Sequence, residues 1–445
     1  MTLARDLVRR IRSAAKQPLP ARVADAARLH FLDALGVGLA AARSSAGTPY
    51  LRYAAHAPAG AAAAFGHPYG IAAADAALVN GGLIHSLEYD DTHTASIVHG
   101  SSVLAATALA AAESAGAGAP ALLGAYARGW EVLIRIGLAA PGAFQARGFQ
   151  VTSVAGALVS ALVAAELADL SEEQTLHALG ISLSQASGVL EFLTNGSSVK
   201  SLHPGWAAHA GLVAATLAAS GMTGPETSID GRFGLFRQFA GDESAAARFS
   251  IGDLAATWHL PDAAFKFYPC CHYLHPFIEA AGILAGKLNA ATIPNILCRV
   301  PAGAATVICE PWKAKQKPGT PHAARWSLPI VVAARLVEGN VGLDTFERPA
   351  STAVLDLAQR IAWEPLADAR FPERFEAEIV CGPHVVRVDD VYGNASRPAT
   401  PQAVRAKFVA NGGSPALWDA VQADAPAREI GMNVRNSIAK EATIP

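Results

Sequence analysis

Between residues 85 and 102 the chain reads HSLEYDDTHTASIVHGSS, which gathers the imidazoles of His85, His93 and His99 with the carboxylates of Glu88, Asp90 and Asp91. Only 16% of the whole chain is charged, so this density marks a place where proton affinities are set by neighbours, as proton transfer requires. If the first part is helical, His85, Glu88, Asp91 and Thr92 share one stripe at spacings of three, six and seven. After Thr92 the helical pattern lapses, and Ser101-Ser102 is expected to cap a new apolar helix that begins near Val103. An isolated Asp or His would more simply be a satisfied structural group.

Three other segments set polar groups among Gly, Pro and aromatics. In GSSVKSLHPGWAAHAG, Lys200 and His203 precede an expected Pro-Gly turn into a helix, and a lysine beside a helix N-terminus suits an anion. In FKFYPCCHYLHPFIEA, Lys266 is followed by Cys270, Cys271, His272 and His275. Adjacent cysteines cannot comfortably chelate one ion and no CxxC or HxxxH supports them, so no metal site is predicted; a nucleophilic thiol would need a depressed pKa. In ARGFQVTSVAG, Thr152 reads as the N-cap of a very apolar helix, and the role of Gln150 stays open. There is no P-loop, no GxGxxG after a strand, no GxSxG elbow and no HExxH.

The elements that position these groups follow from composition and period. At 445 residues two domains are expected. Hydrophobic residues make up 51%, with Ala the commonest, and aromatics 7%, which points to close-packed helices and a mostly α fold. Helical periodicity runs through 20–43, 70–89, 103–116, 119–138, 152–168, 171–188 and 205–220, with Ser171 and Gln174 spaced as a capping box. Residues 1–258 are therefore read as a large all-α domain. A smaller α+β domain over 259–399 is read from short β-branched runs at 295–300, 305–310, 375–382 and 384–391, with helices at 275–288, 325–338 and 351–361. Residues 400–445 are helical again and are expected to pack back onto the first domain.

Lys and Arg total 35 against 37 for Asp and Glu, so no field attracts nucleic acid or an anionic membrane. Apolar runs are interrupted short of a bilayer span, and the basic N-terminal stretch lacks a secretory apolar core; a cytoplasmic protein is expected. Five scattered cysteines suit a reducing compartment.

HSLEYDDTH, the following His99-Gly-Ser, RGFQVTS, VKSLHPGWAAHAG, FKFYPCCHYLH and ARWSLPIVVAARLVEG, in this order, resemble the MmgE/PrpD family, which includes 2-methylcitrate dehydratase, cis-aconitate decarboxylase and iminodisuccinate epimerase. The resemblance implies a helical domain completed by the C-terminal tail, a smaller α+β lid, a homodimer, and an active site between the domains without metal or organic cofactor. Carried over by position, the family's acidic residue matches Glu88, its threonine Thr92, its histidine His99 and its lysines Lys200 and Lys266. This chain departs at Gln150 and at Cys271, with His272 adjacent, where decarboxylase-like members carry His, and at Ile330, where Tyr is frequent. The expectation is a hydro-lyase on a small di- or tricarboxylate. His99 would be general acid/base oriented by Asp91 or Glu88, Lys200 and Lys266 would hold carboxylates, and Thr92, Gln150, His203, Cys271 and His272 would line the substrate. Epimerisation, decarboxylation and carboxylate binding without catalysis are the alternatives.

Overall fold

The computed structural model describes residues 1–252, 254, 256–288 and 295–437. The chain forms two compact units. Met1–Ser86, Asp90–Ala263 and the chain from Thr400 onward make the first; Leu87–Tyr89 and Ala264–Ala399 make the second.

The first unit contains α1 (Leu3–Ala14), α2 (Ala21–Ala42), α3 (Ala73–Ser86), α4 (Gly100–Ala115), α5 (Ala119–Ala139), α6 (Val151–Leu167), α7 (Glu172–Leu183) and α8 (Leu202–Ala219). α4 and α6 are buried on every side over nearly their whole length, as helices apolar all round must be. Ala removes less surface from water than Leu, and the helices compensate by approaching closely. α8 meets α3 glycine to glycine: a Cβ on Gly205 would lie 2.3 Å from the Leu78 carbonyl oxygen, and one on Gly81 would lie 2.7 Å from the Gly205 Cα. That crossing falls within the first turn of α8 and in the second half of α3, so it determines where His203 and His85 stand. The capping box is present: the Ser171 hydroxyl accepts from the Gln174 N–H while the Gln174 side chain accepts from the Ser171 N–H.

In the second unit four strands, β1 (Ile296–Val300), β2 (Ile361–Pro365), β3 (Ala377–Cys381) and β4 (His384–Val388), lie in the order β2-β1-β3-β4. β1 pairs parallel with β2 and antiparallel with β3, and β3 turns through Gly382-Pro383 into β4. Alternation along β1 and β3 buries Ile296, Cys298, Val300, Ala377, Ile379 and Cys381. α9 (His275–Ala285) covers that face, with α10 (Leu328–Val337) packed on α9 and α11 (Thr352–Ala358) on α10.

Two elements of the second unit differ from the sequence reading. Most of the run expected as a strand at 305–310 belongs to a helix, Ala302–Ile308, which buries Ala304, Ala305 and Ile308. Ile361, expected to end a helix, begins β2, since Thr352–Ala358 stops three residues earlier.

From Thr400 the chain returns to the first unit with α12 (Pro401–Ala410), where Lys407 Nζ donates to Asp33 Oδ2 of α2 at 2.9 Å and stands 2.8 Å from Oδ1. The last eight residues of the expected tail lie outside the described residues. Among the described residues no helix is long and apolar enough to cross a membrane.

Replacing Gly205 with Ala forces α3 and α8 apart, and urea unfolding should show a loss of about 1–3 kcal/mol. Unchanged stability would mean that the glycine contact does not limit the helix spacing.

Candidate functional site

The stripe expected through residues 85–92 does not form, because α3 ends at Ser86 and Glu88 adopts φ +54°. A left-handed residue breaks a right-handed helix and costs about 1–2 kcal/mol. Ile97, β-branched, is also left-handed at φ +57° in the same loop. Strain of this kind persists only where the surroundings over-determine the backbone, and it concentrates at functional sites.

What over-determines this loop is Asp91. Its carboxylate accepts from the Ser101 N–H at 3.2 Å, from the Ser101 hydroxyl and from His30 Nδ1 at 2.7 Å, and the Ser101 oxygen also bonds the Tyr126 hydroxyl. Ser101 is the second residue of α4, so Asp91 supplies the anion that the helix N-terminus favours. This corrects the expected cap. Ser101 and Ser102 lie inside the first turn, and His99 occupies the N-cap position without a side-chain cap bond, because a carboxylate from eight residues back does that work.

With its carboxylate so engaged, Asp91 orients His99 through its main chain. His99 Nδ1 lies 3.1 Å from the Asp91 carbonyl oxygen and 2.9 Å from Thr92 Oγ1. A carbonyl only accepts, so Nδ1 of this half-buried imidazole carries a proton, and in the neutral ring Nε2 holds the lone pair. The His99 N–H donates to Thr152 Oγ1 at 3.1 Å. Thr152 is therefore not the N-cap of α6; that position belongs to Gln150, whose side chain makes no cap bond and turns toward two histidines instead.

Those two are His85 and His203. His85 Nδ1 lies 2.8 Å from the Asp90 carboxylate, both side chains being fully buried, and the His85 ring centroid is 5.0 Å from that of His99. Gln150 Nε2 is 3.4 Å from His85 Nε2, while Gln150 Oε1 is 2.6 Å from His203 Nδ1. Burial, with His85 and Lys200 adding repulsion, lowers the His203 pKa to about 4. The segment expected as a Pro-Gly turn is already helix: Leu202 opens α8, and Pro204 sits in the first turn, where its missing N–H leaves no bond unmade. Lys200 lies just ahead in the turn Ser198–Ser201 and is buried; Ser201 is held by the Tyr50 hydroxyl at 2.7 Å. His85, His99 and Asp90 offer ligand atoms within 4.8 Å of one another, the one such trio among the described residues. His85 is already bonded to Asp90 and Gln150, so a cation taking its ring would have to displace the His85–Asp90 or the His85–Gln150 bond.

In the second unit Lys266 Nζ donates to the Glu88 carbonyl oxygen at 3.2 Å and stands 4.0 Å from its carboxylate. Arg325 donates to the carbonyls of Leu87 and Pro269 and stacks over Phe346, and burial lowers its pKa to about 10. Glu88 thus pairs with Lys266. The Cys271 N–H donates to the Arg325 carbonyl; His272 packs edge-on to His275 and Phe375, and Ile330 is buried in α10. The five cysteines are buried and none is in a disulfide, and burial raises the Cys270 thiol pKa well above its usual value, the reverse of what a nucleophile needs.

The sequence reading named His85 and Asp90 in the cluster but assigned neither a role, and passed over His30, Tyr126 and Arg325. The usable signal for His30 and Asp33 was two polar residues in the apolar run RLHFLDALG, which burial would oblige to find partners.

A helical unit with a buried polar cluster at its helix ends, and a smaller α+β unit, are the two parts of this chain. Residues 5–248 match the MmgE/PrpD N-terminal domain and residues 268–418 the MmgE/PrpD C-terminal domain. The chain belongs to the MmgE/PrpD family. It is 28% identical over 372 residues to a cis-aconitate decarboxylase of Aspergillus terreus, covering 78% of this chain and 75% of that protein. With the human cis-aconitate decarboxylase it shares 29% identity over 369 residues, 78% of this chain and 74% of the relative.

His93, 7% exposed and bonded to Ser96 at 2.7 Å, has its pKa lowered to about 4 by burial and by His259. Unfolded, it binds a proton near pH 6.5 that the folded chain refuses, so its contribution to stability is intact above that pH and is lost as pH falls toward 4. Between pH 7 and 4, urea unfolding should show the wild type losing on the order of 3 kcal/mol more than His93→Gln. Equal losses would mean that His93 is not held neutral.

Proposed function

We propose that this protein is a lyase acting on a small di- or tricarboxylate, in which His99 Nε2 removes a proton from the carbon beside a carboxylate. The observation that carries this reading is the tautomer of His99: with Nδ1–H committed to the Asp91 carbonyl, the half-buried ring offers a base lone pair. Lys200, buried ahead of the α8 N-terminus, is assigned the substrate carboxylate, whose enolate-like charge must be met by a cation as the proton leaves. Lys266 in the second unit is assigned the same work by family likeness, and Thr92 holds the imidazole.

The finer reading is dehydration. The C–H electron pair forms the C=C bond, the neighbouring C–O bond breaks, and the proton on His99 passes to the departing hydroxide to leave as water. Decarboxylation is the second reading, favoured by the names of the relatives at 28% and 29% identity. There the C–C bond to a carboxylate breaks, carbon dioxide leaves, and imidazolium protonates the carbanion.

NMR of purified protein in deuterated water with 2-methylcitrate, citrate, cis-aconitate and iminodisuccinate separates these outcomes: an alkene with loss of hydroxyl supports dehydration, carbon dioxide supports decarboxylation, and deuterium exchange without either supports epimerisation. Tight binding with no conversion of any would overturn the enzyme reading. His99→Gln should lower turnover by roughly a hundredfold or more; a variant as fast as wild type removes His99 from the chemistry.

A further inference from the structure

Gln150 touches an imidazole on α3 and another on α8, and the two distances say which way its amide points. The 2.6 Å contact to His203 Nδ1 suits an N–H donating to oxygen, while the 3.4 Å contact to His85 Nε2 is long and suits an amide N–H reaching a ring nitrogen. Reversed, the amide would press its NH2 group to 2.6 Å from a ring nitrogen, closer than such bonds run. The carbonyl oxygen therefore faces His203, and since it only accepts, His203 carries its proton on Nδ1.

His203 is neutral near pH 7, its pKa being lowered to about 4, so it has one ring proton and Nε2 holds a lone pair. That nitrogen has no hydrogen-bond partner among the described residues and is not sealed from solvent. The ammonium that acts on this ring is Lys200, three residues earlier in the turn just ahead of α8. An acceptor and an ammonium side by side match one piece of substrate chemistry: a carboxylate for the cation, and on a nearby carbon a hydroxyl that donates to the lone pair.

We propose that His203 is a specificity-determining acceptor for a substrate hydroxyl, and that Gln150 is a positioning residue that presents it by fixing its tautomer, so that the site takes hydroxylated di- or tricarboxylates over their deoxy counterparts. This rests on the reading above in which Lys200 holds a carboxylate. Gln150 then acts on the histidine rather than on substrate. An oxygen at position 150 is what the arrangement needs, and the amide N–H serves His85.

The test has two arms on the full chain. With 15N-labelled histidine, long-range 1H–15N spectra near pH 7 should show His203 protonated at Nδ1 and bare at Nε2 in wild type and in Gln150→Glu, which keeps an accepting oxygen. Gln150→Leu should lose that preference. Calorimetry then compares citrate with tricarballylate and malate with succinate, pairs that differ only in the hydroxyl. Wild type should bind the hydroxylated member about tenfold tighter or better, Gln150→Glu should keep the preference, and His203→Phe and Gln150→Leu should bind both members alike. A wild-type His203 protonated at Nε2, equal affinities within each pair, or discrimination surviving in His203→Phe would each overturn the proposal. Failure of all four acids to bind would overturn it through the carboxylate reading beneath it, and the His203 spectrum tells that failure apart from an error in the tautomer.

Discussion

The arrangement of the first unit's polar cluster hangs on one carboxylate. Asp91 bonds the second residue of α4 through both the Ser101 N–H and the Ser101 hydroxyl, and bonds His30 of α2. This pins the loop after α3 to the start of α4, and the pinning directs the Asp91 carbonyl at His99. One residue thereby does two jobs with different atoms. The side chain meets the positive end of a helix, and the main chain selects which nitrogen of an imidazole is basic. The left-handed backbone at Glu88 and Ile97 is the conformational cost of leading the chain along that path.

Around this point the unit distributes its buried charge in pairs. Asp90 holds His85, Asp33 holds Lys407, and Asp91 holds His30. Burial pushes the Asp33 pKa up and the Lys407 pKa down, while each partner opposes the shift in the other. Breaking such a pair strands a charge away from water, so the Lys407–Asp33 bond ties α12 to α2 more by penalty than by attraction. The Ala-rich helices make the surroundings dry: close approach at Gly81, Gly205 and Gly211 leaves little room for water between α3, α6 and α8. In such a medium a fixed hydrogen bond counts for more than it would at the surface, and a neutral histidine stays neutral.

Much of the fold was open to reading along the chain. Long helices declare themselves by period and caps, which is why α2, α5, α6 and the Ser171 capping box fall where periodicity places them. Short elements do not: residues 302–308 and 361–365 are too brief for period to separate helix from strand, and neighbours in the sheet decide. The cluster at 85–102 stood out by density alone, yet its inner wiring did not. Local rules made Ser101 a cap and Thr152 a cap. Both were displaced by contacts from elsewhere in the sequence, namely Asp91 on α4 and the His99 N–H on Thr152.

The sequence by itself determined that this would be an Ala-rich helical protein with a smaller strand-bearing portion, of a recognisable family, with imidazoles, carboxylates and lysines in a few short segments. Those properties are local, fixed by composition, period and residue type. Which atom meets which was decided only by tertiary structure, because a hydrogen bond depends on ångströms and angles between elements far apart in the chain. The proton positions on His99 and His203 are the clearest case: each is dictated by a single oxygen, one on the Asp91 main chain and one on Gln150, that no spacing along the sequence could have pointed at its ring.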